Sequence, residues 1–302
     1  MRRPGRFPAL RALFRPGLLL SVAIAIAIAI AGAAPTRAGA GAATANPPSR
    51  VVSMNVCTDQ LAMMIAAPGQ LKSVSFIGAE EQTSVMAEQA RAYPLNHGLA
   101  EEIFLLQPDL ILAGSYTTRS TVLLLRKLGF RVEEFKQDAS FADVRDNILR
   151  MGDLLGRRGR AIELVSLLER RLAGIEAVPV SAHTVAVFSP NSYTAGKGTL
   201  ADAVIEAAGL SNIAAERGLW GPARLPLELL IDAAPDMLIA GGDRYGGTAL
   251  AQAIFRHPAF RALASRTRMV SLPGPYWVCG GPFTAEAVRL LREAASKPVL
   301  EQ

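Results

Sequence analysis

A short pattern occurs twice in this chain and limits how it can fold. Residues 101–114 read EEIFLLQPDLILAG, and residues 227–242 read LELLIDAAPDMLIAGG. In both copies a glutamate stands seven residues before a proline, an aspartate follows the proline, and an apolar run comes next. Because proline stops a helix and a continuous apolar run is typical of a strand buried on both faces, each copy predicts a short helix and a buried strand. Glu101 and Glu228 then occupy corresponding positions in two similar parts of the protein.

Strand-like and helix-like segments alternate around both copies of the pattern. The predicted strands include SRVVSMN (49–55), LKSVSFIG (71–78), HTVAVFSPN (183–191) and TRMVSLPG (267–274), and segments with helical spacing separate them. Such alternation is typical of βαβ units and a parallel sheet. The predicted fold is therefore α/β, with two similar lobes over residues 49–139 and 180–302, each built on a largely parallel sheet.

Residues 140–175 differ from both lobes in the spacing of their apolar residues. Apolar residues recur at 144, 148, 151 and 155, and again at 162, 165, 168 and 172, with charged residues between them. The spacing predicts a long amphipathic helix capped by Ser140, about 50 Å long at about 1.5 Å per residue. Two helices with a break near Gly156 to Gly159 fit the same pattern. In either form the segment joins the lobes as a backbone, and a ligand cleft is expected between them.

The first 45 residues have the composition of an export signal. Five arginines between positions 2 and 15 precede a charge-free stretch, residues 16–35, and small residues follow. This order predicts a secretory signal peptide and a short linker, cleaved after Ala40 or Ala45, and therefore a secreted protein. A retained membrane anchor is the alternative, because the apolar stretch is nearly long enough to span a bilayer.

The same segment accounts for the net positive charge. The chain carries 32 basic and 26 acidic residues, and residues 1–45 contain six arginines and no acidic residue. The remaining chain is balanced, with 26 residues of each sign. A basic surface for nucleic acid is therefore not expected.

Two cysteines, Cys57 and Cys279, and three scattered histidines are the soft or metal-binding groups of the chain. The cysteines form no CxxC pattern and the histidines are far apart in sequence, so no metal site is predicted. In an oxidising compartment the two cysteines can form a disulfide. They can also flank a ligand as soft groups, or be buried structural thiols.

Aromatic residues concentrate in the loops that follow the predicted strands. Such loops border the binding crevice of open α/β sheets. Large rings suit a flat or bulky ligand, although they can instead cover the core. Arginines nearby offer a fork of donors for anionic oxygens, although surface arginines are common. The candidates for ligand contact are Tyr116, Tyr193, Trp220, Trp277, Cys57 and Arg224, with Arg119 and Arg244 as further basic residues.

Six segments, taken in order, resemble a known protein family. They read RVVSMNVCTDQL, AEEIFLLQPDLILAG, GKGTLADAVIEAAGLSNIA, LPLELLIDAAPDMLIAGG, HPAFRAL and CGGPFTAEAVRLL, and the similarity spans nearly all of residues 49–296. They resemble the periplasmic solute-binding proteins for cobalamin and ferric siderophores, the class with a helical backbone. The resemblance implies a two-lobed receptor, expected to be a monomer, that captures a metal chelate between its lobes. It also implies delivery to a dimeric ABC permease with a cytoplasmic ATPase.

The resemblance assigns a docking role to the repeated glutamates. In this family an acidic residue on each lobe meets arginines of the permease, and Glu101 and Glu228 match those positions. Glu102 takes the place of Glu101 if the alignment is shifted by one residue. Each carboxylate can alternatively serve only its own helix, by facing the positive end of the helix dipole.

The resemblance also bears on the ligand. Tyr193 and Trp220 match aromatic cleft positions of the family, and Trp277 matches more loosely. Gly114 departs from the pattern, because cobalamin binders can carry an aromatic residue there, and Tyr116 is the nearest aromatic. The ligand therefore stays open among cobalamin or another corrinoid, a ferric siderophore and haem. No cofactor of the protein's own is expected.

Enzyme motifs do not fit the chain. The segment AGKGT lacks the first glycine and the Ser or Thr of a phosphate-binding loop, and GxSxG and HExxH are absent from the sequence. Cys57 is the one nucleophile considered, with Asp59 two residues later and no histidine placed as its base. The prediction is a receptor without catalytic activity, with a haem-binding or ligand-sensing protein of the same fold as the alternative.

Overall fold

The computed structural model describes residues 46–175, 183–240 and 250–297. The predicted signal peptide and Arg244 lie outside the described residues. Within the described ranges, no helix combines the length and the apolar character needed to cross a membrane.

The first lobe is built on a five-stranded parallel sheet with the order β3-β2-β1-β4-β5. Its strands are β1 (Val51–Ser53), β2 (Leu71–Ser75), β3 (Leu95–Asn96), β4 (Leu110–Gly114) and β5 (Val132–Phe135). Its helices are α1 (Val56–Ile65), α2 (Ala87–Ala90), α3 (Ala100–Leu105) and α4 (Arg119–Lys127). Every residue of β4 is buried, as its continuous apolar sequence predicts for a central strand covered on both faces.

Two helices follow the first lobe, α5 (Phe141–Leu154) and α6 (Arg158–Ala173). The second lobe then has the strands β6 (Thr184–Phe188), β7 (Tyr193–Ala195), β8 (Ser211–Asn212), β9 (Pro222–Arg224), β10 (Met237–Ala240) and β11 (Arg268–Met269). Its helices are α7 (Leu200–Ala207), α8 (Ile213–Glu216), α9 (Leu227–Ala233), α10 (Pro258–Ala264) and α11 (Thr284–Ser296). Four strands form a parallel sheet with the order β11-β10-β6-β8, and β7 pairs with β9 in a separate antiparallel ribbon.

The two sheets share one plan. In the first lobe, β1 lies between β2 and β4. In the second lobe, β6 lies in the same way between β8 and β10. The strands of the repeated pattern are β4 and β10. The last strand, β5 or β11, then pairs with the strand of the repeat. The prediction of an α/β protein with two similar lobes and parallel sheets is confirmed.

In each copy of the repeated pattern, the aspartate after the proline anchors the first strand of its sheet through hydrogen bonds. Asp109 accepts hydrogen bonds from the Ser49 amide at 2.6 Å, the Ser49 hydroxyl at 3.0 Å and the Arg50 amide at 3.0 Å. Asp236 accepts from the His183 amide, the Thr184 amide and the Thr184 hydroxyl, each at 2.9 Å. The aspartate of each copy therefore holds the chain just before, or at the start of, the adjacent strand.

The segment between the lobes is a helical hairpin, so the prediction of a single long helix is wrong and the two-helix alternative holds. Gly156, with a φ of 67°, lies in the turn between α5 and α6. Gly152 allows the helices to approach closely, because a Cβ there would lie 2.4 Å from that of Ala161. An ion pair between Arg145 and Glu169 joins the other ends of the two helices. Ser140 caps α5 by accepting a hydrogen bond from the Asp143 amide, as predicted.

Helix α6 makes the connection between the lobes. Its residues Ala161, Leu164 and Leu168 are buried in the core of the first lobe. At its end, Leu172 packs against the cores of both lobes, and Ile175 packs against the core of the second. The connector is therefore a helix of 16 residues, about 24 Å long at about 1.5 Å per residue.

A disulfide joins the two lobes directly. Cys57, in the first turn of α1, is bonded to Cys279, in the loop before α11, and their Cα atoms are 5.1 Å apart. Of the three sequence-based alternatives for the cysteines, the structure has the bridge, and the described residues contain no free cysteine. The bond spans 222 residues of sequence and lies where the first strand of one lobe ends.

The loop that carries Cys279 is also held without the disulfide. Asp138, three residues after β5, accepts a hydrogen bond from the Gly280 amide at 2.9 Å. A Cβ on Gly280 would lie 2.4 Å from Val144 Cγ2, so only glycine permits this approach to α5. Arg171 of α6 donates to the Pro282 carbonyl at 3.1 Å. We call the disulfide and these three contacts the interlobe joint.

We expect Asp109→Ala and Asp236→Ala each to lower the free energy of unfolding by about 1 kcal/mol, because each loses three hydrogen bonds to a charged acceptor at an exposed site, where water replaces them in part. Although partial burial raises the pKa of both carboxyls, the hydrogen bonds to Ser49 and Arg50, or to His183 and Thr184, hold it below its usual value. Their stabilisation is therefore present above the ordinary pKa and is lost as the pH falls through the lowered one.

Urea unfolding of both variants at neutral pH measures this effect. Glu206→Ala is the control, because it removes an exposed carboxylate of α7 that forms no ion pair among the described residues. Equal stability of the control and the two aspartate variants would contradict this anchoring role.

The buried Asp59 carboxyl is expected to give the free energy of unfolding a second dependence on pH. Its carboxyl is fully buried, and desolvation raises its pKa to about 7 even though the Ser75 side chain and amide donate to it. The folded state therefore retains a proton that the unfolded chain loses near pH 4, so stability falls as the pH rises from about 4 to about 7. A shift of this size corresponds to at most about 4 kcal/mol at about 1.36 kcal/mol per pKa unit.

Asp59→Asn keeps an acceptor for Ser75 and removes the titration. We expect urea midpoints of the variant to change less between pH 4.5 and 7.5 than those of the unmodified protein. Parallel pH profiles for the two proteins would contradict the assignment.

Candidate ligand cleft

The loops at the carboxyl ends of both sheets meet at the interlobe joint. Asp138 follows β5, and Cys57 lies four residues beyond the end of β1. Both contact the loop of residues 270–283, which follows β11 in the second lobe. Because ligands of α/β proteins bind beyond the carboxyl ends of strands, the space bordered by these loops is the candidate cleft, with the joint at its base.

The rim of the first lobe carries Tyr116. Its side chain is 72% exposed, and its hydroxyl donates to Gln137 Oε1 at 3.0 Å. Gln137 precedes Asp138 in sequence, so this hydrogen bond ties the loop after β4 to the joint. Arg119 is the first residue of α4 and is exposed just beyond this loop.

Gly114 has a packing reason to lack a side chain. A Cβ at this position would lie 2.6 Å from Cγ of Asn55. Asn55 is fixed because its side chain caps α1 by accepting from the Cys57 amide at 3.0 Å. An aromatic residue at position 114 therefore requires displacement of the α1 cap, which explains the departure noted in the sequence.

The ribbon of β7 and β9 carries two of the predicted ligand residues, Tyr193 and Arg224, and a third, Trp220, lies two residues before β9. Tyr193 pairs with Arg224 in the ribbon register, and the Arg224 guanidinium carbon lies 5.4 Å from the Tyr193 ring centroid. Trp220 lies beside Lys197, whose ammonium nitrogen is 5.4 Å from the Trp220 ring centroid. The exposed fraction is 43% for Tyr193 and 68% for Trp220, so both rings are available to a ligand.

The remaining two candidates are less open. Trp277 is half-buried and packs against the core of the second lobe, in agreement with the core-covering alternative. Cys57 is half-buried in its disulfide, so it offers no free thiol to a ligand metal or to a catalytic reaction. Both residues nevertheless lie close to the joint, because Trp277 is two residues from Cys279.

Three residues of the cleft region were not among the sequence-based candidates. They are Asp138, Gly280 and Lys197. The Gly280-Gly281 pair after Cys279 is a sequence signal for close backbone approach, but the partner segment is far away in sequence. Lys197 carries no comparable sequence signal, because it follows a strand of only three residues and its partner Trp220 comes 23 residues later.

A cavity of about 810 Å³ lies between α6 and α11, behind the second lobe's part of the joint. Several of its charged residues already pair with each other, since Arg289 contacts Glu286 at 2.6 Å and Glu293 at 3.0 Å. Its lining includes Tyr276 and Phe283 of the loop of residues 270–283 but none of Tyr116, Tyr193 and Trp220, and we therefore do not identify it with the candidate cleft. In the described ranges, no group of three His, Cys, Asp or Glu residues is arranged to hold a metal ion.

The repeated glutamates occupy equivalent places. Glu101 is the second residue of α3 and Glu228 is the second residue of α9, and both are exposed. Neither forms an ion pair with a residue in the described part of the chain. Glu102 differs, because it accepts from the His97 amide at 2.7 Å and contacts His97 Nδ1 at 3.1 Å, and the hydrogen bond from that amide is the main cause of its lowered pKa. The geometry therefore favours Glu101 over Glu102 as the counterpart of Glu228.

Solved structures with the same fold include haem and vitamin B12 binding proteins. The apo periplasmic haem-binding protein RhuT from Roseiflexus sp. RS-1 aligns with a TM-score of 0.66 and 22% identity, over 82% of this chain and 98% of that one. The periplasmic vitamin B12 binding protein BtuF of Vibrio cholerae aligns with a TM-score of 0.59 and 17% identity, over 82% and 97%. At these identities the similarity concerns the fold.

Sequence comparison gives a relative and a family. A cobalamin-binding protein of Halobacterium salinarum is 29% identical over 211 residues, which are 68% of this chain and 57% of the relative. The chain thus spans little more than half of that relative's length. A family model described as periplasmic binding protein matches residues 58–270, which is more than half of the chain. The chain belongs to this periplasmic binding protein family.

Proposed function

We propose that the protein is a periplasmic receptor that holds a metal chelate in the cleft between its lobes and delivers it to a membrane permease with a cytoplasmic ATPase. The observation that carries this proposal is the presence of exposed aromatic rings at strand ends on both lobes, next to a base that is covalently joined. Tyr116 lies on one side, and Tyr193 and Trp220 lie on the other. Such rings provide rigid contact area for a large ring-bearing ligand.

The candidate ligands are haem, a corrinoid and a ferric siderophore. The names of the compared proteins support haem and cobalamin as candidates for this chain. Gly114 and the Asn55 cap remove one aromatic contact that cobalamin binders can have, so cobalamin is not favoured over haem. Contacts are proposed for Tyr116, Tyr193, Trp220 and Arg224, with Trp277 and the Cys57 disulfide closer to the base.

We further propose that the protein is exported to the periplasm and binds its ligand without changing it chemically. The composition of residues 1–45 supports a signal peptide. A disulfide between distant segments supports an oxidising compartment such as the periplasm. The protein then binds its ligand without chemical change, because the nucleophile considered for catalysis, Cys57, is occupied in the bridge. A ligand-sensing protein of the same fold is the alternative.

Fluorescence titration of the mature protein tests the receptor function. The panel is haemin, cyanocobalamin, a ferric catecholate and a ferric hydroxamate. We expect saturable quenching of tryptophan fluorescence by at least one chelate, and at least about tenfold weaker binding in Tyr193→Ala or Trp220→Ala, in line with about 1.4 kcal/mol or more for each lost ring contact. The control is Phe104→Ala, which removes an exposed ring of α3 on the side where β4 begins, away from the carboxyl ends of the strands. Failure of every chelate to bind would contradict the receptor proposal, and unchanged affinity in both variants would move the site.

Docking is proposed to use Glu101 and Glu228. Two carboxylates on separate lobes of a body with a covalent joint can register on two basic sites of a permease dimer, and such pairs contribute mainly to orientation and encounter rate. The permease itself is inferred from the family resemblance.

The double variant Glu101→Ala with Glu228→Ala separates docking from capture. We expect its chelate affinity to stay within about twofold of the unmodified protein, while uptake by cells that carry the permease falls at least about tenfold, the equivalent of about 1.4 kcal/mol. The matched control is Glu88→Ala with Glu206→Ala, which removes one exposed carboxylate from each lobe. Equal uptake by the two double variants, or a loss of chelate binding together with uptake, would contradict this role.

A further inference from the structure

The ribbon of β7 and β9 and the residues just beyond it present two similar pairs of side chains. Tyr193 stands opposite Arg224, and Ala195 stands opposite Pro222. Two residues beyond Ala195, outside the ribbon, Lys197 forms an isolated parallel bridge with Trp220. The first pair therefore lies in the antiparallel ribbon, and the second pair lies just beyond its end. Because Tyr193 and Lys197 are four residues apart, their Cα atoms are at most about 14 Å apart.

Each pair combines a cation with an exposed ring. The Arg224 guanidinium carbon lies 5.4 Å from the centroid of the Tyr193 ring, and Lys197 Nζ lies at the same distance from the Trp220 ring. Both distances are within the range of cation–π attraction. The charges are therefore held beside the rings instead of extending freely into solvent.

Neither cation is neutralised by the protein where the structure describes it. Lys197 and Arg224 form no ion pair with a carboxylate in the described ranges. Other basic residues of the same lobe do: Arg217 contacts Asp232 at 2.7 Å, and Arg289 contacts Glu286 at 2.6 Å. The ribbon and the bridge just beyond it thus present two positive charges that are not paired with Asp or Glu.

The ribbon is also firmly supported. The Asn212 side chain donates to the Ala195 carbonyl at 2.9 Å and to Asp202 Oδ1 at 2.8 Å. The Lys197 amide donates to the Leu219 carbonyl at 2.8 Å, and a Cβ on Gly196 would lie 2.4 Å from the same oxygen. The rings and cations therefore project from a backbone that is fixed before ligand binding.

We infer that Lys197 and Arg224 select an anionic ligand: a chelate whose ring system packs on Trp220 and Tyr193 and whose peripheral carboxylates or other anionic oxygens meet the two cations. This inference rests on the proposed receptor function and specifies its substrate class. A neutral chelate of the same shape covers the cations without compensating their lost hydration, so it binds more weakly. The selection therefore depends on charge as well as on shape.

Two matched pairs of probes test the inference. The first pair is haemin and its dimethyl ester, which share iron and macrocycle but differ in the two carboxylates. The second pair is an anionic ferric catecholate and a neutral ferric hydroxamate. Cyanocobalamin is titrated as well. The proteins are the unmodified chain, Lys197→Met with Arg224→Met, the conservative Lys197→Arg with Arg224→Lys, and the control Arg217→Met.

We expect the unmodified protein to prefer the anionic member of at least one pair by at least about tenfold, with an affinity that weakens as salt is added. The double methionine variant should lose at least about tenfold in affinity for that ligand and less than about twofold for its neutral partner. The conservative double variant should keep the preference, and Arg217→Met should behave as the unmodified protein does.

Four results would overturn the inference. Equal losses for both members of a pair would show that the side chains act by packing, and unchanged affinities would show that they do not contact the ligand. Binding of only neutral chelates, such as cyanocobalamin or the hydroxamate, would exclude selection for anions and leave the receptor function intact. Binding of no chelate at all would overturn the receptor function too.

Discussion

The interlobe joint is the constraint on which the rest of this structure depends. A disulfide between Cys57 and Cys279 joins the end of one sheet to a loop of the other lobe, and Asp138 holds the same loop through the Gly280 amide. The lobes also share apolar packing, because Ala285 of α11 belongs to the same buried cluster as the core of the first lobe. Together these contacts hold the loop of residues 270–283 against the first lobe, so the strand-end loops that carry the aromatic residues border the candidate cleft. For the proposed receptor this means a largely preformed site, which reduces the ordering cost of ligand binding.

The repeated pattern explains how one chain builds two comparable halves. In each half the residue before the proline has a positive φ, 45° at Gln107 and 42° at Ala234, and the aspartate after the proline clamps the first strand. The same local arrangement then places a glutamate at the second position of α3 and of α9. Because these features follow from neighbouring residues, the two-lobed α/β fold and the equivalence of Glu101 and Glu228 could be predicted from sequence.

Other features depend on contacts between distant segments and could not be predicted in the same way. The amphipathic spacing of residues 140–175 is equally compatible with one helix and with two. The choice depends on the turn at Gly156 and on the contact of Gly152 with Ala161, which only the folded hairpin reveals. The disulfide was one of three alternatives, because sequence contains no distance between cysteines 222 residues apart. Lys197 was not predicted as a ligand residue, because its significance comes from a ring, Trp220, in another segment.

The joint also relates the two proposed activities. Capture uses the faces of the strand-end loops, whereas docking uses the first turns of α3 and α9. Because the lobes are covalently linked, the distance between the two proposed docking carboxylates changes little. A permease can therefore recognise that distance whether or not the cleft is filled. The proposed charge selection by Lys197 and Arg224 concerns only the ligand, so docking variants and variants of these two residues should act independently.

Peptide mapping of the oxidised, mature protein without reduction tests the joint most directly. The protein is digested after free thiols have been blocked, and peptides are identified by mass before and after reduction. We expect one linked pair that contains Cys57 and Cys279, with neither cysteine blocked. Recovery of both cysteines as blocked, unlinked peptides from protein made in an oxidising compartment would contradict a covalent connection between the lobes.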